Sequence, residues 1–85
     1  MKKRDLIRHE LIGLKAEVID SRNKANIGII GKIVDESKFT IVVEHNNRQK
    51  RLFKNNITLR IDGIIIDGKV LVMRPKDRIK KVRRN

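Results

Sequence analysis

The sequence predicts a mainly β protein: one small barrel of five to six antiparallel strands, with short helices at the N- and C-termini. Three observations carry this reading. Short hydrophobic stretches alternate with a period of two through the centre of the chain. Asn-Asn and Asp-Gly turn signals separate them at short intervals. Two glycines lie within one strand, in "GIIGKIV", which suits a sheet that must bend sharply and close. An open sheet with one helix on a face is the competing architecture, but helical patterning is confined to the two ends.

The first segment, "RDLIRHELIG", reads as a short helix. Asp5 suits its first turn, Ile7, Leu11 and Leu14 follow helical spacing, and Gly13 is a natural stop. In "LKAEVID" the period changes to two, and "SRNKAN" is a polar loop. The second strand, "IGIIGKIV", puts Ile27, Ile29 and Ile33 on one face with Gly31. A glycine inside a strand marks a bulge, a bend or a close backbone approach. The corner "DESK" leads into "FTIVVEH", whose Phe39, Ile41 and Val43 share a face directed at the core. Asn46–Asn47 is a hairpin turn, because Asn tolerates positive φ. "RQKRLF" returns as a basic, exposed strand, and "ITLRID" has the cleanest alternation. "III" and "KVLVM" complete the set, after the turns at Asp62–Gly63 and Asp67–Gly68. Pro75 fits the first turn of a final helix, with Asp77 near its start and an Asp77–Lys81 pair along it. The chain therefore reads as a single domain over 1–85: an N-terminal helix to residue 13, a barrel over 14–73 and a basic helix or tail over 74–85.

Composition narrows the function. Of 85 residues, 39% are hydrophobic and 38% charged, with a net charge of +12. The charge is uneven. Lys2, Lys3, Arg4 and Arg8 stand against Asp5 at one end, a net of +3. Arg74, Lys76, Arg78, Lys80, Lys81, Arg83 and Arg84 stand against Asp77 at the other, a net of +6. The long centre carries only +3. Solubility alone does not require that asymmetry, whereas a polyanionic partner such as nucleic acid does. With no cysteine there is neither a disulfide framework nor a thiolate metal site, which fits a reducing, cytoplasmic setting. No apolar run is long enough to span a membrane, and no apolar h-region follows the basic start.

Nothing in the sequence forms a catalytic constellation. His9 and His45 lack a second ligand at metal-binding spacing, so each reads as a cap or surface histidine. Asp35, Glu36, Asp62 and Asp67 occupy turn positions, where Asp serves backbone hydrogen bonding. "GIIG" lacks the Lys and Ser/Thr of a P-loop. Phe39 and Phe53 are the only aromatic residues, and Phe39 is in phase with the core. Recognition of phosphate and shape by Lys and Arg therefore fits better than stacking of a specific single strand. The candidate RNA contacts are Lys2, Lys3 and Arg4, Lys54 on the return strand, and Arg74, Lys76, Arg78, Lys80 and Lys81.

Three blocks carry a more specific signal: "HELIGLKAEVIDS", "GIIGKIVDESKFTIVVE" and "DGKVLVMRPKDRIKK". Together, over about residues 8–81, they resemble the archaeal ribonuclease P protein component 1 family, relatives of the eukaryotic twenty-nine-kilodalton subunit. His9, Glu10, Leu11, Ile12 and Gly13 match its N-terminal motif, and Arg74, Pro75, Asp77, Arg78, Lys80 and Lys81 its C-terminal one. Where the family often has a Pro-Lys step, this chain has Phe53–Lys54. The resemblance implies an Sm-like or SH3-like barrel in the ribonucleoprotein that removes the 5′ leader of precursor tRNA. It further implies that ribonuclease P RNA holds the catalytic Mg2+ and that the protein binds no cofactor itself. Implied partners are that RNA, a heterodimer with ribonuclease P protein component 4, the other protein subunits, and precursor tRNA as substrate. Leu6, Ile7, Leu11 and Ile12 exceed what one short helix needs for docking, so with Ile79 they are candidates for the component 4 contact. A ribosomal protein of similar barrel type, or a self-assembling Sm-like ring, would carry the same basic barrel.

Overall fold

Six strands form one antiparallel sheet in the computed structural model of the protein, which describes residues 2–80. After helix α1 (Lys3–Ile7) come β1 (Lys15–Ser21), β2 (Ile30–Glu36), β3 (Thr40–His45), β4 (Arg48–Phe53), β5 (Ile57–Ile61) and β6 (Ile64–Asp67), then helix α2 (Pro75–Lys80). The strand order is β4-β3-β2-β1-β5-β6. Both two-residue hairpin loops have positive φ throughout, at Asn46–Asn47 (51° and 63°) and Asp62–Gly63 (54° and 75°). That matches the right-handed twist of the strands they join.

The sheet curls around one core, in which Ala16, Val18, Ile29, Ile33, Ile41, Val43, Leu52, Leu59, Ile61 and Ile66 are buried. Two devices produce the curl. The register of β1 on β5 shifts between Val18 and Asp20, and that of β2 on β3 between Ile33 and Asp35. Such bulges bend a strand and re-aim the side chains beyond the bend. Alternation from Ile33 would turn Asp35 inward; after the shift, Asp35 is exposed and Glu36 is buried. The second device is Gly31, where a Cβ would come within 1.7 Å of the Glu44 carbonyl oxygen. Gly31 is thus a site of close backbone approach, as expected of a strand glycine, whereas Gly28, expected in the same strand, lies ahead of β2 at a φ of +95° with nothing within 4 Å of its Cβ position.

The edge strands β4 and β6 run directly into 3₁₀ turns at Lys54–Asn56 and Gly68–Leu71. These turns pack so closely that a Cβ on Gly68 would lie 2.0 Å from the Lys54 carbonyl oxygen. The barrel closes there, and "KVLVM", expected as a strand, lies mostly within that turn. Its Asp67 side chain accepts from Lys69 N, which bends the chain away from the ladder.

Other expectations change in detail. The first helix ends at Ile7 rather than at Gly13. The Ile7 and His9 carbonyls that a longer helix would use accept from Arg78 Nη1 instead, at 2.8 and 2.6 Å. Gly13 N donates to Ile33 O at 2.8 Å, tying this irregular stretch to β2. Ile27 closes a 3₁₀ turn ahead of β2 and is exposed. Phe39, expected in the core, is 49% exposed, because β3 begins one residue later and the parity of its inner face does not extend back to it. Pro75 and Asp77 occupy the first turn of α2 as expected, while Lys81 and the rest of the basic tail lie outside the described residues.

Candidate nucleic-acid interface

Of the nine predicted RNA contacts, the structure leaves five on the surface. Lys2, Lys3 and Arg4 are exposed at the start of α1, and Arg74 and Lys76 at the start of α2. None of their side chains has an ion-pair partner among the described residues, so their charge faces solvent. Lys81 and the side chain of Lys80 lie outside what the structure describes.

Lys54 and Arg78 are corrections. Both are buried, and both serve the fold. Lys54 Nζ lies 2.8 Å from Glu36 Oε2. It also donates to the carbonyls of Ser37 (2.7 Å), Leu71 (2.9 Å), Lys38 (3.2 Å) and Met73 (3.3 Å). Arg78 Nη2 donates to the other oxygen of Glu36, while its Nη1 holds the Ile7 and His9 carbonyls. One carboxylate is therefore shared by two cations, and backbone carbonyls take up the excess positive charge. A buried charge with this many partners does not leave them for a phosphate, because breaking one arm strands the others in low dielectric. Burial pushes the Lys54 ammonium below its ordinary pKa; the Glu36 contact opposes this and the nearby Arg78 charge adds to it. The cluster binds the end of β2, the turn into β3, the 3₁₀ turn after β6, the irregular stretch after α1, and α2 into one body.

The predicted protein contact also divides. Leu6 and Leu11 are fully buried in the protein's own core, so the expectation that they face a partner is corrected. Ile7 packs partly against that core, and Ile79 is half-buried. Ile12 is 44% exposed and open to contact.

Sequence reasoning does not single out several cations that the structure exposes. Arg48, Lys50 and Arg51 project from β4, an edge strand, where charge also discourages pairing with other sheets. The signal is present, since "RQKRLF" has a single buried position, Leu52. Lys38, in the turn before β3, adjoins Arg74 and Lys76 around a surface groove. By contrast, Arg60 is paired with Glu17 at 3.1 Å across β1 and β5. His9 Nδ1 contacts the Glu10 carbonyl at 2.6 Å, and His45 Nδ1 contacts the Ile30 backbone, both structural roles. No group of three or more His, Asp or Glu side chains is arranged to hold a metal ion among the described residues. No helix there is long and apolar enough to cross a membrane.

Comparison with known proteins gives this cationic barrel its family. The family model described as "Ribonuclease P/MRP, subunit p29" matches residues 4–81. Ribonuclease P protein component 1 of Methanocaldococcus jannaschii is 40% identical over 82 residues, covering 91% of this chain and 86% of the relative. That of Thermofilum pendens is 44% identical over 84 residues, covering 92% and 89%. The solved structure of Mth11, described as a homologue of the human RNase P protein Rpp29, superposes with a TM-score of 0.58 at 35% identity. It covers 85% of this chain and 100% of its own. The six-stranded barrel, its sequence blocks and these relatives agree: the chain belongs to the ribonuclease P/MRP subunit p29 family, together with the archaeal ribonuclease P protein component 1.

Proposed function

We propose that the protein is a non-catalytic, RNA-binding subunit of ribonuclease P that scaffolds the catalytic RNA of the enzyme removing the 5′ leader of precursor tRNA. The observation that carries this reading is the family match along residues 4–81. The geometry supports it through exposed cations at both terminal segments and along β4 that have no ion-pair partner among the described residues. On this reading the Mg2+ that activates water belongs to the RNA, and the protein contributes phosphate contacts that fix the RNA's fold. A heterodimer with ribonuclease P protein component 4 belongs to the same reading, with Ile7, Ile12 and Ile79 as its remaining apolar candidates.

Isolation of the tagged full-length chain from its native cells, followed by sequencing of the bound RNA, tests the proposal. One RNA species that cleaves precursor tRNA is expected. Ribosomal RNA would transfer the protein to the ribosome, and a mixture of short RNAs would favour an Sm-like ring.

A further inference from the structure

Both aromatic side chains of the protein are on its surface: Phe39 is 49% exposed and Phe53 57%. A barrel short of aromatic bulk gains from burying such residues, since each carries a large apolar area. Phe39 does not stand alone. It lines a groove of about 700 Å3 together with Ser37, Lys38, Arg74, Pro75 and Lys76. The groove's walls are mostly apolar and its three charged side chains are all cations. Lys38 Nζ sits 5.1 Å from the Phe39 ring centroid, a cation–π distance. Among the described residues none of the three cations is paired with a carboxylate. Glu36, which precedes Ser37 in the chain, is buried and spent on Lys54 and Arg78.

We infer that this groove is a stacking subsite for one unpaired nucleotide of RNA: the base lies against Phe39 and Pro75, and Lys38, Arg74 and Lys76 take its flanking phosphates. The occupant is set by the chemistry. A mostly apolar groove lined by an aromatic ring and three cations complements a ligand that is aromatic and anionic at once, and a nucleotide is both. An acidic peptide would satisfy the cations but leave the ring without a planar partner. Both walls of the subsite are tied to the buried cluster. Lys54 N donates to Phe39 O at 2.8 Å, and Lys54 Nζ holds the Ser37 and Lys38 carbonyls. On the other wall, Arg78 anchors α2 behind Pro75. The buried Glu36 cluster thus fixes the spacing between the two walls. The inference deepens the RNA-binding reading above and rests on it.

The chain has no tryptophan, so Phe39→Trp creates a unique fluorescent reporter. In the full-length variant, a single-stranded oligoadenylate should quench the introduced tryptophan, while an abasic oligomer of the same length should not. A Phe53→Trp variant serves as the matched reporter elsewhere and should respond weakly. Phe39→Ala should weaken oligoadenylate binding about tenfold. It should leave the dependence of affinity on salt unchanged, because stacking releases no counterions. Equal quenching by the abasic oligomer, or no quenching while the chain still binds RNA in a salt-dependent way, overturns the subsite and leaves the RNA-binding reading intact. A response to the component 4 protein but not to RNA reassigns the groove to a protein contact. Absence of any RNA binding by the wild-type chain overturns both.

Discussion

Lys54 Nζ lies 2.8 Å from Glu36 Oε2, and neither side chain is accessible to solvent. The two residues are 18 positions apart, at the end of β2 and in the turn after β4. Removing one partner of such a pair leaves the other charge buried without compensation. Lys54→Ala is therefore expected to destabilise the protein by about 3–5 kcal/mol. Equilibrium urea denaturation measures this directly, and a loss under about 1 kcal/mol, the scale of an exposed pair, would show that the cluster is not what closes the barrel.

The same lysine gives stability a pH dependence. Burial lowers the pKa of Lys54 in the folded protein from its ordinary 10.5. Between the lowered value and 10.5, the unfolded chain carries a proton that the folded one has lost. Stability from this site therefore rises with pH across that window and is lost as pH falls through the folded pKa. The stability difference between wild type and Lys54→Met should grow as pH rises toward the ordinary lysine value. A flat or falling difference would contradict the lowered pKa.

Gly31 is required by contact rather than by backbone angle. A methyl group there would meet the Glu44 carbonyl oxygen at 1.7 Å, forcing β2 away from β3. Gly31→Ala should cost roughly 2 kcal/mol or more. Gly63→Ala, where nothing lies within 4 Å but φ is +75°, should cost less, on the order of 1 kcal/mol. Thermal melts of the two variants rank the effects, and the reverse order would argue against the close approach.

How far the sequence can be read depends on the range of each interaction. Alternation and turn chemistry act over a few residues, so β1, β3, β5 and both hairpins are legible, down to the positive φ of Asn46 and Asn47. The bulges are not, and they decide which charged residues turn inward: Glu36 is buried only because the register slips after Ile33. Arg78 looks like one basic residue among many in "RPKDRIKK". Its partners, Ile7, His9 and Glu36, lie 71, 69 and 42 positions away. Local pattern carries no trace of such a convergence. Leu11 reads as surplus for the same reason, since the core it fills is built from strands far along the chain. Phe39 is misplaced by a single residue of strand boundary, the least determined feature of a periodic segment.

The protein free of RNA should not cleave precursor tRNA in the presence of any divalent cation. Neither histidine is placed as a general base, since His9 and His45 are both engaged with backbone. Turnover by RNA-free protein that is lost on mutating one of its own carboxylates would overturn the assignment of catalysis to the RNA.

The exposed and buried cations should separate cleanly in binding. Lys2, Lys3 and Arg4 are exposed, with no ion-pair partner among the described residues, whereas Arg78 holds carbonyls and Glu36 inside the protein. If each of the three exposed residues neutralises one phosphate, their joint replacement by Ala should reduce the slope of log affinity against log salt by about 2–3. Stability should hardly change, because surface substitutions of this kind stay within about 0.5 kcal/mol. Arg78→Ala should do the opposite, lowering the urea midpoint sharply while leaving the salt slope close to wild type wherever the variant remains folded. Affinity for ribonuclease P RNA at several salt concentrations, with competitor tRNA present, measures the first effect, and the denaturation midpoint measures the second. A salt slope that falls with Arg78→Ala and not with the triple replacement would return Arg78 to the RNA surface. It would then require α2 to leave the barrel on binding, because its guanidinium cannot reach a phosphate while it holds Glu36.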